Sequence, residues 1–160
     1  MIRVESKNIN RDILEKVKSI DEQFYIDSKL TLDWYLERYK DYHIITLLYD
    51  DEKIVGYLLC VPIKKELYDD IISGKLTNDI DVSHDMFVKD SQYNYIVSIL
   101  IDKEYRNNGY AYKLLDNLIL KKGNKYCALT VSEAGKKLAS KYMKKVLDVN
   151  ENVSVFGLEG

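Results

Sequence analysis

The sequence predicts an α/β fold: a mixed, mostly antiparallel central sheet with helices on both faces. Three observations lead there. "HIITLLY" and "KIVGYLLCV" are apolar runs joined only by "DDE", the pattern of an antiparallel hairpin. "YIVSILI" (95–101), an amphipathic stretch and "YCALTV" follow as strand, helix and strand, and such a crossover favours parallel neighbours. The whole order then reads strand, two helices, hairpin, short helix, strand–helix–strand–helix–strand, with no repeat or linker. One domain is expected over residues 1–160.

Each element has a local reason. "IRVE" alternates, as a strand should. Asn10 is placed to cap a helix whose Ile13, Leu14, Val17 and Ile20 share a face, and Thr31 to cap a second with Leu32, Tyr35, Leu36 and Tyr39 on one side. Pro62 ends the second hairpin strand, and "KKELYDDIIS" before Gly74 reads as a short helix with a glycine stop. Residues 75–94 are polar and aperiodic, a long loop. "YIVSILI" is the most apolar run and should be a central buried strand. Ala111, Leu114, Leu115, Leu118 and Ile119 form the stripe of the next helix, which Gly123 stops. After "YCALTV", a helix is expected from Ala134 to Lys145, and "VSVFGL" as the last strand.

Composition narrows the function. The chain is 46% hydrophobic and 31% charged with net charge −2, so no basic field points to nucleic acid. The N-terminus is not a signal peptide, and no apolar run approaches the ~20 residues that span a bilayer. A soluble cytoplasmic protein with no nucleic-acid or membrane partner is expected. Cys60 and Cys127 form no C-x-x-C pair and read as buried reduced thiols. The seven glycines make neither G-x-G-x-x-G nor a Walker loop, and no G-x-S-x-G or H-E-x-x-H occurs. His43 at a strand edge reads as structural and His84 as a solvated loop residue. No metal is expected.

The most informative stretch is "EYRNNGYAYKLL" (104–115), where strand character gives way to helix. The first amides of a helix lack partners within it, and with the helix dipole they form an anion site. Phosphate must approach the backbone closely there. Gly109 and Ala111 permit that approach, and Arg106 adds a charged donor. The residues alone leave a second reading open, in which Gly109 merely permits a tight turn.

Arg106-Asn107-Asn108-Gly109-Tyr110-Ala111 has the form R-x-x-G-x-A, follows an apolar strand through "DKEY", and precedes an amphipathic helix. In this it resembles the coenzyme A motif of the GNAT superfamily of N-acetyltransferases, and the element order is similar along nearly the whole chain. The resemblance implies acetyl-CoA as cosubstrate. Its pyrophosphate would accept bonds from the amides of Asn107, Asn108, Gly109, Tyr110 and Ala111. Its pantetheine arm would pair with the backbone of Ile99, Leu100 and Ile101, where the fourth and fifth strands splay. The family pattern N-x-x-A-x-x-x-Y-x-x-x-G-F, laid on the later helix, puts Gly135, Leu138, Tyr142 and Val146-Leu147 at its sharp positions. Only the tyrosine survives, and the resemblance implies Tyr142 as the acid that protonates the departing thiolate. Some members place a glutamate at the start of the fourth strand, but Asn94-Tyr95 stands here, leaving the base to ordered water or an acid of the 75–90 loop.

The resemblance places the acyl acceptor, a primary amine, between the segment holding Phe24, Tyr25 and Trp34 and the loop before the fourth strand. Glu66, Asp69, Asp70, Asp79, Asp81, Asp85 and Asp90 there face only Lys75 and Lys89 in number, which would attract a cationic amine. An N-acetyltransferase acting by direct attack in a ternary complex is the expected function. A noncatalytic acyl-CoA-binding regulatory module is the alternative, and a homodimer is compatible with either.

Overall fold

A computed structural model of the chain describes residues 1–24, 31–39, 44–119 and 123–159. Tyr25 and His43 lie outside the described residues. Among the described residues seven strands form one sheet, side by side in the order Ile2–Asn8, Ile44–Asp50, Lys53–Pro62, Tyr93–Ile101, Lys125–Thr130, Ser154–Glu159 and Lys144–Asp148. By their contacts the residues form two compact units, Met1–Leu59 with Ser98–Leu118 and Cys60–Val97 with Ile119–Gly160.

In the first unit, β1 (Ile2–Asn8) pairs antiparallel with β2 (Ile44–Asp50), and β2 with β3 (Lys53–Pro62). The hairpin turn is Asp51-Glu52, with Asp51 in the left-handed region at φ 52°. Helix α1 (Arg11–Asp21) buries the expected Ile13, Leu14, Val17 and Ile20. The Asn10 side chain accepts the Ile13 N–H at 2.9 Å, and Thr31 accepts that of Trp34 at 3.2 Å at the start of α2 (Leu32–Arg38). Both caps satisfy donors that the helices themselves cannot. Asn10→Ala is therefore expected to cost about 1 kcal/mol in urea unfolding. On α2, Arg38 is buried as well as Tyr39. Its guanidinium lies 5.1 Å from the Trp34 ring centroid, and its Nε donates to the Tyr39 hydroxyl at 3.3 Å.

In the second unit, α3 (Lys65–Ile72) ends before Gly74 at φ 77°, as the glycine stop requires. The segment expected to be a bare loop contains two 3₁₀ turns, Asp79–Asp81 and His84–Met86, and buries Val82 and Phe87. Strand β4 (Tyr93–Ile101) begins two residues before "YIVSILI". It pairs parallel with β5 (Lys125–Thr130), from Tyr93↔Lys125 to Ile96↔Ala128 among the described residues, although β4 runs on to Ile101. The crossover between them carries α4 (Tyr110–Ile119), on which Leu114 and Leu115 are buried and Ala111 and Leu118 half-buried. The side chain of Ile119 lies outside what is described.

The later helix is shorter than its sequence suggests. α5 (Glu133–Tyr142) stops when Met143 turns extended, at φ −129° and ψ 164°. Lys144 and Lys145, expected at the end of the helix, begin β6 (Lys144–Asp148), which pairs antiparallel with β7 (Ser154–Glu159). β7 also pairs with β5. Cys127 is fully buried, and burial pushes its thiol pKa up, while Cys60 is only half-buried. No helix among the described residues is long and apolar enough to cross a membrane.

Candidate functional site

β4 changes character along its length. Asn94, Tyr95 and Ile96 are buried, Val97, Ser98, Ile99 and Leu100 are half-buried, and Ile101 is buried again. The strand expected to be buried is therefore only half-buried in its middle, at Ile99 and Leu100, the residues expected to pair with a pantetheine arm. Beside this stretch β3 carries Gly56. A Cβ there would lie 2.7 Å from Ile101 Cδ1 and 3.1 Å from the Leu100 carbonyl oxygen, so a side chain would force the Ile101 side chain to move and the β4 backbone to give way slightly.

The link from β4 to α4 is tied down residue by residue. The Asp102 N–H donates to the Val55 carbonyl at 2.8 Å. Asp102 Oδ1 accepts the Glu104 N–H at 3.1 Å, and its Oδ2 accepts from Gln23 Nε2 at 3.2 Å. Gln23 Oε1 accepts the Lys103 N–H at 3.0 Å, and the Tyr105 hydroxyl donates to Asp50 Oδ2 at 2.9 Å. Arg106 lies with its guanidinium 3.7 Å from the Phe24 ring centroid and its Nε donating to the Ile101 carbonyl at 3.4 Å.

Beyond Arg106 the backbone turns through two left-handed residues, Asn107 at φ 64° and Gly109 at φ 75°. Asparagine tolerates that region better than most residues, and glycine adopts it without steric cost. Asn108 Nδ2 donates to the carbonyls of Tyr105 and Arg106, at 3.1 and 3.0 Å, and fixes the turn from inside. Nothing lies within 4 Å of where a Gly109 Cβ would stand. The helical ladder opens with Lys113 N–H to the Gly109 carbonyl, leaving the Tyr110 and Ala111 amides ahead of it. Among the described residues, none of the amides from Asn107 to Ala111 meets an acceptor. The exposed turn from Arg106 to Gly109 contains no acidic side chain, so its chemistry fits an anion.

Tyr142 is the last residue of α5, half-buried, with the Lys141 ammonium 5.6 Å from its ring centroid. It belongs to the second compact unit, whereas Ser98–Ile101 and the turn belong to the first. The acids expected to line an acceptor cleft are partly engaged. Asp69 pairs with Lys65 at 2.6 Å and Asp70 with Lys75 at 3.8 Å, Asp85 lies 3.8 Å from His84, and Asp79 accepts the Tyr95 hydroxyl at 2.5 Å. Trp34 is half-buried and meets Tyr35 edge-on at 5.1 Å. Among the described residues no group of three or more His, Cys, Asp or Glu side chains could hold a metal ion.

Sequence reasoning missed one cluster. Asp21, at the end of α1, is 9% exposed. One of its oxygens accepts the Tyr57 hydroxyl, and the other accepts the Tyr35 hydroxyl at 2.9 Å. Tyr57 Oη in turn lies 2.9 Å from Ser98 Oγ on β4. The signal was present: Asp21 continues the Leu14–Val17 stripe at helical spacing, and Ser98 is the one polar residue in "YIVSILI".

Burial raises the Asp21 carboxyl above its usual range, against the opposing bonds from Tyr57 and Tyr35, and Glu22 adds to the rise. A proton is then held more tightly in the folded state than in the unfolded one. The stability this group contributes is present below the ordinary carboxylate pKa of ~3.9 and is lost as pH rises through the raised value. Asp21→Asn, fixed neutral, is expected to flatten that slope in urea unfolding followed across acidic pH.

The comparisons with known proteins bear on the family and the fold. The acetyltransferase (GNAT) family model matches residues 8–145. The ribosomal-protein-S18-alanine N-acetyltransferase of Escherichia coli is similar over 99% of this chain and 94% of its own, at 13% identity and TM-score 0.67. A GNAT-family acetyltransferase of Streptococcus agalactiae is similar over 98% and 95%, at 15% identity and TM-score 0.69. The GNAT-like decarboxylase GphF, solved with isobutyryl-CoA, is similar over 98% of both chains at 8% identity and TM-score 0.72. No curated protein sequence matches the chain. At these identities the solved structures speak for the fold, while the family match spans most of the sequence. The chain belongs to the acetyltransferase (GNAT) family.

Proposed function

We propose that the protein is a single-domain N-acetyltransferase that moves an acetyl group from acetyl-CoA to a primary amine by direct attack in a ternary complex. The observation that carries this reading is the run of amides from Asn107 to Ala111, without acceptors among the described residues, directly after a β4 stretch left half-buried. In this reading the amides and Arg106 hold the pyrophosphate, and the backbone of Ile99, Leu100 and Ile101 pairs with the pantetheine arm. The neutral amine forms the new C–N bond as the C–S bond breaks, with backbone N–H groups near Ile101 polarising the carbonyl. Tyr142 gives its phenolic proton to the leaving thiolate. No metal takes part. A cytoplasmic location and a small-molecule or peptide acceptor complete the reading.

Turnover of acetyl-CoA with a panel of amines tests it, with thiol release measured in the presence and absence of amine. Amine-dependent release supports the reading. Release that occurs without amine is hydrolysis of the thioester, and release that no amine raises above that level would reject the transfer.

The acceptor preference is a smaller effect. With Asp69, Asp70 and Asp79 engaged, the acids of the 66–94 segment act as a diffuse field, each exposed pair contributing ~0–1 kcal/mol. A cationic amine is expected to show a higher kcat/KM than an anionic one at low salt. The ratio should shrink as the screening length falls to about 8 Å at physiological ionic strength. Equal values at low salt would remove the preference.

A further inference from the structure

We propose that Ser98, Tyr57 and Asp21 form the path by which the proton leaves the attacking amine, with the Asp21 carboxylate as its end point. The proposal rests on the N-acetyltransferase reading and supplies the base that the fourth strand lacks, since Asn94-Tyr95 stands where an acid would be convenient.

The direction of the path follows from counting protons. The Tyr57 hydroxyl has one hydrogen, and it is donated to Asp21. The 2.9 Å contact between Tyr57 Oη and Ser98 Oγ is then donated by Ser98. Ser98 Oγ keeps lone pairs for an incoming N–H, and it stands on the half-buried part of β4, next to the proposed pantetheine residues. Tyr57 is 2% exposed, so the middle of the path is closed to bulk water.

When an amine proton moves to Ser98 Oγ, the serine proton moves to Tyr57 Oη and the tyrosine proton to Asp21 Oδ1. The amine has lost one proton, the carboxylate has become a carboxylic acid, and both hydroxyls are restored. No other reactant is needed.

The environment suits this task better than a purely structural one. A buried acid costs desolvation unless polar partners satisfy it. Here two tyrosines from different elements converge on it, Tyr35 from α2 and Tyr57 from β3, with Glu22 just past the end of α1 beside it and Tyr39 adding to the field on both rings. Burial holds both phenols protonated, as donors must be, and makes the carboxylate more basic than an exposed one. A lysine-like amine has a pKa of ~10.4, so below that pH it must lose a proton before it attacks.

The test uses Asp21→Asn, Tyr57→Phe and Ser98→Ala in the full chain, with kcat/KM for the best amine followed from about pH 6 to 9 and acetyl-CoA affinity measured separately. Each variant is expected to lose about 10²-fold near neutral pH and to recover as pH approaches the amine's own pKa, where no acceptor is needed. Acetyl-CoA affinity should stay at the wild-type value. Ser98→Ala, at a half-buried site, keeps the test valid if Asp21→Asn does not fold. Folded variants with the wild-type pH profile would overturn the relay alone. A wild-type protein that binds acetyl-CoA and acetylates no amine would overturn the function and the relay together.

Discussion

Tyr142→Phe is expected to bind acetyl-CoA as the wild type does and to turn over about 10²–10⁴-fold more slowly. The substitution keeps the ring that ends α5 and removes only the hydroxyl. The position is half-buried, so urea unfolding of the variant is measured beside its rate and separates a loss of chemistry from a loss of fold. The loss belongs to kcat because thiolate charge develops only as the C–S bond breaks. Single-turnover kinetics isolates the chemical step from product release. A Phe variant at full rate with chemistry limiting would take the acid role away from Tyr142 and give it to solvent.

Gly109→Glu is expected to abolish acetyl-CoA binding while leaving a folded protein. The site offers room, with nothing within 4 Å of the new Cβ, so the structural cost is the left-handed backbone at φ 75°, on the order of 1–2 kcal/mol. The functional cost is larger, because a carboxylate then stands among amides that the pyrophosphate would otherwise occupy. Gly109→Asn separates the two, since asparagine accepts the backbone conformation and adds no charge. It should retain most of the affinity by isothermal titration. Unchanged binding in folded Gly109→Glu would remove the turn from the cofactor site.

What the sequence revealed divides along a physical line. Features written in neighbouring residues were legible: the Asn10 and Thr31 caps, the turn at Asp51, the glycine at 74, and the R-x-x-G-x-A turn itself. Features decided by partners far along the chain were not. "KKVLD" has no alternation, so its first two lysines read as the end of the helix expected to Lys145, and only its ladder with β7 makes it a strand. Val82 and Phe87 are buried within a segment whose composition reads as loop. Asp21 shows the same limit within the candidate site. Its place on the apolar stripe could be counted, but Tyr35 and Tyr57 are 14 and 36 residues away, and nothing local says that they meet there.

The half-buried middle of β4 also bears on how long the protein lasts in a cell. A strand in the centre of a seven-stranded sheet that leaves Val97, Ile99 and Leu100 partly wet has not completed its own burial. In the proposed reading the thermodynamic unit is then protein plus acetyl-CoA. Ligand at about 100 times its dissociation constant adds roughly 2.7 kcal/mol to folding. In a chain of this length each kcal/mol raises the melting temperature by about 2–4 °C. Melting followed over a series of acetyl-CoA concentrations should climb by several degrees. Proteolytic lifetime should climb with it, so the amount of this protein would follow the supply of activated acyl groups.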